Sequence, residues 1–122
     1  MTKDQQEKFT VLNEAWTTIE PLVKDKQPYK DIMGTLFKMF YKKRNNAVFS
    51  DEWWQEVVDE FLRFPERYDV TRYFEFAGNL AMGFLNYWEH TSKSKAEIEF
   101  FKRDVEEAFV KEKAILSKLV NN

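Results

Sequence analysis

His90 is the only histidine in the chain, and there is no cysteine. These two facts remove much of the chemistry open to a small protein. Paired-histidine metal sites, H-E-x-x-H zinc sites and di-iron bundles with two E-x-x-H motifs each need a second histidine. Thiolate ligands, cysteine nucleophiles and disulfides are equally excluded. A serine nucleophile would depend on His90 as its base and on a strained G-x-S-x-G elbow, which the sequence lacks. Carboxylates alone could hold Mg²⁺, but the pattern E-E-x-x-E followed by E-x-x-D is poorly imitated by Asp51-Glu52-x-x-Gln55, which departs at two of the three positions, and by Glu66-x-x-Asp69 across the Pro65 turn. Gly34, Gly78 and Gly83 stand singly inside helical patterns, so no loop cradles a phosphate. His90 itself reads as a helix-end residue facing the negative end of the dipole. The expectation is a protein that is not an enzyme and uses no metal and no cofactor.

Four sets of residues remain as candidates for other work. Glu112 projects into an apolar stripe, between Phe101 and Val105 in helical angle, and a buried carboxylate needs a partner or a raised pKa. Glu75, Asn79 and Asn86 share a thin polar strip among aromatics and could orient a small ligand in a pocket. Lys42, Lys43 and Arg44 follow Tyr41, a combination that could contact phosphates and stack a base, although cations also suit a helix C-terminus. Trp53, Phe64 and Phe100 fall at the margins of apolar faces and are candidate exposed anchors for a partner.

The element that must position these groups is the stretch from Val70 to Trp88. At 100° per residue it carries apolar side chains over more than half its circumference, leaving only Arg72, Glu75, Asn79, Asn86 and His90 as a polar strip. Such a helix needs covering from several sides, and Asp69 is placed to cap it. Around it the spacing predicts four more helices. Thr2-Lys3-Asp4-Gln5 is a capping box opening helix 1, whose stripe is Phe9, Leu12, Trp16, Ile19 and Val23, with a break expected at Glu20 before Pro21. Pro28 starts helix 2, with Ile32, Met33, Leu36, Phe37 and Phe40 inward, Gly34 suggesting close packing and an end near Arg44. Ser50 caps helix 3, which turns Trp54, Val57, Val58, Phe61 and Leu62 to the core and stops at Pro65. Ser94-Lys95-Ala96-Glu97 is a second capping box, opening a long C-terminal helix with Ile98, Phe101, Val105, Ala108, Phe109, Leu116 and Leu119 as its stripe.

Composition agrees with this pattern. Twelve Phe, five Tyr and four Trp stand against three Gly and three Pro in 122 residues, so there is much apolar area to bury and little to turn with. The expected fold is all-α: one domain over 1–122, a bundle of about five helices, its central helix near 70–90 paired antiparallel with a C-terminal helix near 95–120. Residues 28–46 carry five cations against Asp31, whereas 47–69 carry seven acids against two Arg, so neighbouring helices can complement each other. The net charge of −2 is too small to attract nucleic acid over a distance. With no basic, apolar leader and no long apolar run, a cytoplasmic location is expected and no membrane. The reading is a helical protein acting by contact with another protein or with itself as a homodimer, in the manner of an adaptor, inhibitor, immunity factor or mobile-element accessory protein. The alternatives are a small-molecule binder with an aromatic pocket beside helix 4 and a nucleic-acid-associated protein using the basic end of helix 2.

Overall fold

The computed structural model describes residues 2–45, 50–89 and 96–121, and within them the chain forms five α-helices and no strand. These are α1 (Lys3–Ile19), α2 (Gln27–Asn45), α3 (Asp51–Arg63), α4 (Phe74–Glu89) and α5 (Ala96–Asn121), with short 3-10 turns at Glu20–Leu22 and Phe64–Tyr68. Both turns carry a proline near their start, where its missing N–H is harmless, and both stand where an α-helix could not continue. The expected caps form at two helix starts. Thr2 Oγ accepts from Gln5 N at 3.1 Å while Gln5 Oε1 accepts from Thr2 N at 2.9 Å, and Ser50 Oγ accepts from Trp53 N at 3.1 Å. The second capping box, at Ser94, lies outside the described residues, as does His90.

Helix α4 begins four residues later than its apolar pattern suggests. After the 3-10 turn Asp69 accepts from the N–H of Val70 through its own side chain, Val70 adopts a φ of 55°, and the chain reverses before α4 can start. Asp69 therefore serves this turn and does not cap the helix, and Arg72 and Tyr73 lie on the approach to it. Periodicity continues through such a turn without marking it, because the pattern records burial, not hydrogen bonding.

The core forms where α4 lies against α5. Phe76 meets Phe109 at 5.1 Å between ring centroids and Phe84 meets Phe101 at 5.0 Å, so eight residues forward along α4 is eight residues back along α5. The pair is antiparallel. Near Gly83 a Cβ would lie 3.4 Å from Asp104 Cβ, showing how closely α5 approaches. Helix α5 also packs along α1, and α3 with its following 3-10 turn covers another side of α4. Each fully buried Phe contributes about 2–3 kcal/mol by transfer from water, and each edge-to-face pair about 0.5–1.5 kcal/mol more.

Helix α1 buries the expected Leu12, Trp16 and Ile19, but its buried face is shifted at the N-terminal end so that Lys8 takes the place of Phe9. Lys8, Val11, Leu12, Ala15, Trp16 and Ile19 are buried, while Phe9 is 47% exposed. The lysine replaces the phenylalanine because its ammonium finds Asp4 Oδ1 at 2.7 Å and lies 5.5 to 6.0 Å from the ring centroids of Phe40, Tyr41 and Phe101. Leu62 and Leu119, expected inside, are 53% and 55% exposed. Among the described residues no helix is long and apolar enough to cross a membrane.

Candidate functional site

Helices α1 and α2 lie side by side without closing on each other. On α1, Phe9, Leu12, Asn13, Trp16, Thr17 and Glu20 recur at three- and four-residue steps and so share one face. On α2, Lys30, Met33, Gly34, Phe37 and Lys38 do the same. The two faces form the walls of a groove of about 540 Å³. Its lining is mainly aromatic and aliphatic, with polar groups along the edges.

The groove is fastened at both ends. At one, the Asp4 carboxylate gathers Lys8 Nζ at 2.7 Å, the Tyr41 hydroxyl at 2.6 Å and the Arg44 guanidinium at 3.5 Å, joining the first turn of α1 to the last of α2. Burial pushes the Asp4 pKa up, but these donors and charges outweigh it and hold the carboxyl below its ordinary value. At the other end Trp16 stacks obliquely on Tyr29 with centroids 5.7 Å apart, and its Nε1–H donates to Glu20 Oε2 at 2.6 Å. Both tethers pair residues in an antiparallel register, so the walls run in opposite directions.

The middle stays open because the two helices are committed elsewhere. Helix α1 packs closely on α5, whereas the buried face of α2, formed by Tyr29, Ile32, Leu36 and Phe40, packs toward α4. Tyr29 meets Phe76 at 5.2 Å and Tyr73 at 5.3 Å, and Phe40 meets Phe84 at 5.5 Å. Met33 and Phe37 are left half-buried on the groove side. Gly34 does not mark a close helix contact: a Cβ built there meets nothing among the described residues within 4 Å. Its sequence signature, a lone glycine in a helix, is the same in either circumstance.

Glu112 is 1% exposed. The Tyr29 hydroxyl donates to its Oε2 at 2.9 Å, and Arg72 donates to that hydroxyl at 2.9 Å, while Glu112 Oε1 has no partner among the described residues. Burial raises the Glu112 pKa above its ordinary value, and Glu75 adds to this, against opposing contributions from the Tyr29 hydrogen bond and the Arg72 charge. The Tyr29 hydroxyl is likewise pushed up by burial and by the Glu112 charge. The three groups tie α2, α5 and the approach to α4 together. Because the carboxyl is sealed inside, its chemistry is confined to this internal chain of hydrogen bonds.

The other candidate residues are dispersed. Phe64 is 1% exposed and so is not a surface anchor. The α-helix ends at Arg63 and the tighter 3-10 winding turns Phe64 inward, where it meets Tyr68 at 5.8 Å and lies under Arg67 at 5.1 Å. Trp53 is half-buried against the core, and Phe100 is 39% exposed beneath the Arg103 guanidinium at 5.1 Å. Lys43 pairs with Glu60 at 2.8 Å, joining basic α2 to acidic α3, and Arg44 is held by Asp4, while Lys42 is exposed. Glu75 is exposed and Asn79 and Asn86 half-exposed; none of them lines the α1–α2 groove. The sequence reading missed the groove. Its one available signal was the exposed margin of α1, where Phe9 and Asn13 follow the same helical step, but the partner wall lies on another helix. No protein-family model, curated protein or solved structure matches this chain.

Proposed function

We propose that the protein acts by contact, taking an apolar segment of a partner protein into the groove between α1 and α2, and performs no chemistry of its own. The observation that supports this is an aromatic-lined groove held open at its centre and tethered at both ends by side chains from both walls. A groove already formed spares the partner the entropy of ordering it. Phe9, 47% exposed on one wall, supplies the apolar contact that such interfaces concentrate near their centre.

The reading is tested by replacing Gly34 with a photo-cross-linking amino acid, which the open space there accepts, and irradiating the protein in a lysate of its source cells. The expected result is a discrete protein adduct that disappears when Phe9 is changed to Lys and is not formed from a cross-linker at Lys113 on α5. Adducts that form equally from both positions, or that survive Phe9→Lys, would remove the groove from the function. The groove also falls within the size range of small-molecule sites. A small ligand copurifying with the protein, with no protein adduct, would favour that second reading.

A further inference from the structure

We infer that the occupant of the α1–α2 groove is an amphipathic α-helix of about three turns from a protein partner, carrying acidic residues along the edge that faces α2. This rests on the groove being a contact site. Its length follows from the wall: Phe9 to Glu20 spans about 16 Å along the α1 axis, or about three helical turns. Its shape follows from what the walls are. Two helices side by side offer ridges and furrows that a third helix can fill, and no strand edge is available among the described residues to take an extended peptide.

The charge requirement comes from an asymmetry between the rims. Along α2, Lys30 and Lys38 are both exposed and neither forms an ion pair among the described residues. They lie about 12 Å apart along the helix, a little over two turns, and both line the groove. Along α1 the rim is neutral at Asn13 and Thr17, and the one acid, Glu20, is already engaged by the Trp16 indole at 2.6 Å and by Lys26 at 3.9 Å. A helix with Leu-like residues at three- and four-residue steps and two carboxylates seven residues apart on one flank matches both features. The lysines then set its orientation and register, and the apolar lining supplies most of the contact.

The test uses a fluorescein-labelled sixteen-residue peptide, helix-favouring, with a leucine stripe and two Glu seven residues apart beside it, and a second peptide with Lys at those positions. Anisotropy titrations are made against the wild-type chain, the double variant Lys30→Glu/Lys38→Glu and Gly34→Trp, whose indole would occupy the groove. Circular dichroism on each variant confirms that its helix content is retained. The Glu peptide should bind the wild-type chain about tenfold more tightly than the Lys peptide at low salt, and the preference should reverse in the double variant. Gly34→Trp should abolish binding of both. Binding without a charge preference, a preference that does not reverse, or undiminished binding to Gly34→Trp would overturn the inference, as would retention of neither peptide. If the Gly34 cross-linker still captures a partner in any of these cases, the contact reading stands and the acidic helix alone is rejected.

Discussion

The interface between α4 and α5 and the cleft between α1 and α2 are both built from antiparallel helices rich in aromatic residues, yet one is closed and the other open. Between α4 and α5 the rings alternate edge to face at about 5 Å, and Gly83 lets the backbone of α5 approach. Between α1 and α2 the glycine faces empty space, and beyond the Trp16–Tyr29 contact at one end Phe9 and Phe37 sit on the walls. The residue types are nearly the same. What differs is whether each helix has a stronger commitment elsewhere: α4 and α5 are mutual partners, whereas α1 leans on α5 and α2 turns its buried face to α4. An aromatic-rich segment is therefore no guide to function until its neighbours are known. Of the rings singled out in sequence, Phe64 is buried, Trp53 half-buried and Phe100 39% exposed, whereas Phe9 and Phe37, expected on inward faces, line the cleft.

The sharpest way to test this contrast is to remove one ring from each side. Phe84→Ala should destabilise the protein by about 3–5 kcal/mol, because a large cavity opens in a core that cannot collapse around it. Phe9→Ala should change stability by about 0.5 kcal/mol, since nearly half of the side chain is already in water. Urea unfolding measures both, and equal losses would mean that the cleft is part of the core.

The tether at the end of the cleft gives the next effect. Asp4→Asn should cost about 1–2 kcal/mol at neutral pH, because Lys8 is fully buried and would lose its charged partner, with the figure held down by the partial exposure of Asp4. The sign of its pH dependence follows from the depressed carboxyl pKa. The stabilisation is present above the ordinary value of 3.8 and is lost as pH falls through the lower folded-state value. Acid unfolding of wild type and variant should converge below that point.

Glu112 behaves oppositely. Its pKa is raised in the folded state, so its contribution is most favourable below the ordinary value of 4.5 and declines as pH rises through the higher folded value. The stability difference between Glu112→Gln and wild type should shift in favour of glutamine over that window, with a slope of at most about 1.4 kcal/mol per pH unit, and flatten beyond it. A difference independent of pH would show that the carboxyl is not held in a sealed environment. The smallest expected effect returns to the glycines. Gly34→Ala should stabilise the protein by about 0.5–1 kcal/mol, the full helix-propensity gain, whereas Gly83→Ala should give less because the new methyl meets Asp104. Thermal melts of the two variants compare the open and closed sides directly.

Much of the fold was legible in the sequence for a physical reason that also sets its limit. The capping box at Thr2 and Gln5, the cap at Ser50 and the helix ends near Pro21 and Pro65 are decided by hydrogen bonds and steric contacts among residues a few positions apart. The all-α class and the pairing of α4 with α5 follow from apolar periodicity and short connections. At the candidate site, the residues on each wall were legible as helical faces, but their meeting was not.

From the sequence alone came the helices, the caps at Thr2 and Ser50, the proline breaks, the excess of aromatic area and the absence of thiol or paired-histidine chemistry, because each depends on residue type and local spacing. Tertiary structure alone decided that Lys8 is buried while Phe9 faces outward, that Phe64 turns inward, that Glu112 finds Tyr29 83 residues away, and that α1 and α2 leave a groove between them. Each of these depends on which distant surface arrives opposite a given face. A helix that fills only part of its circumference with apolar groups can be completed in more than one way, and the choice is made by the other helices competing for the same core.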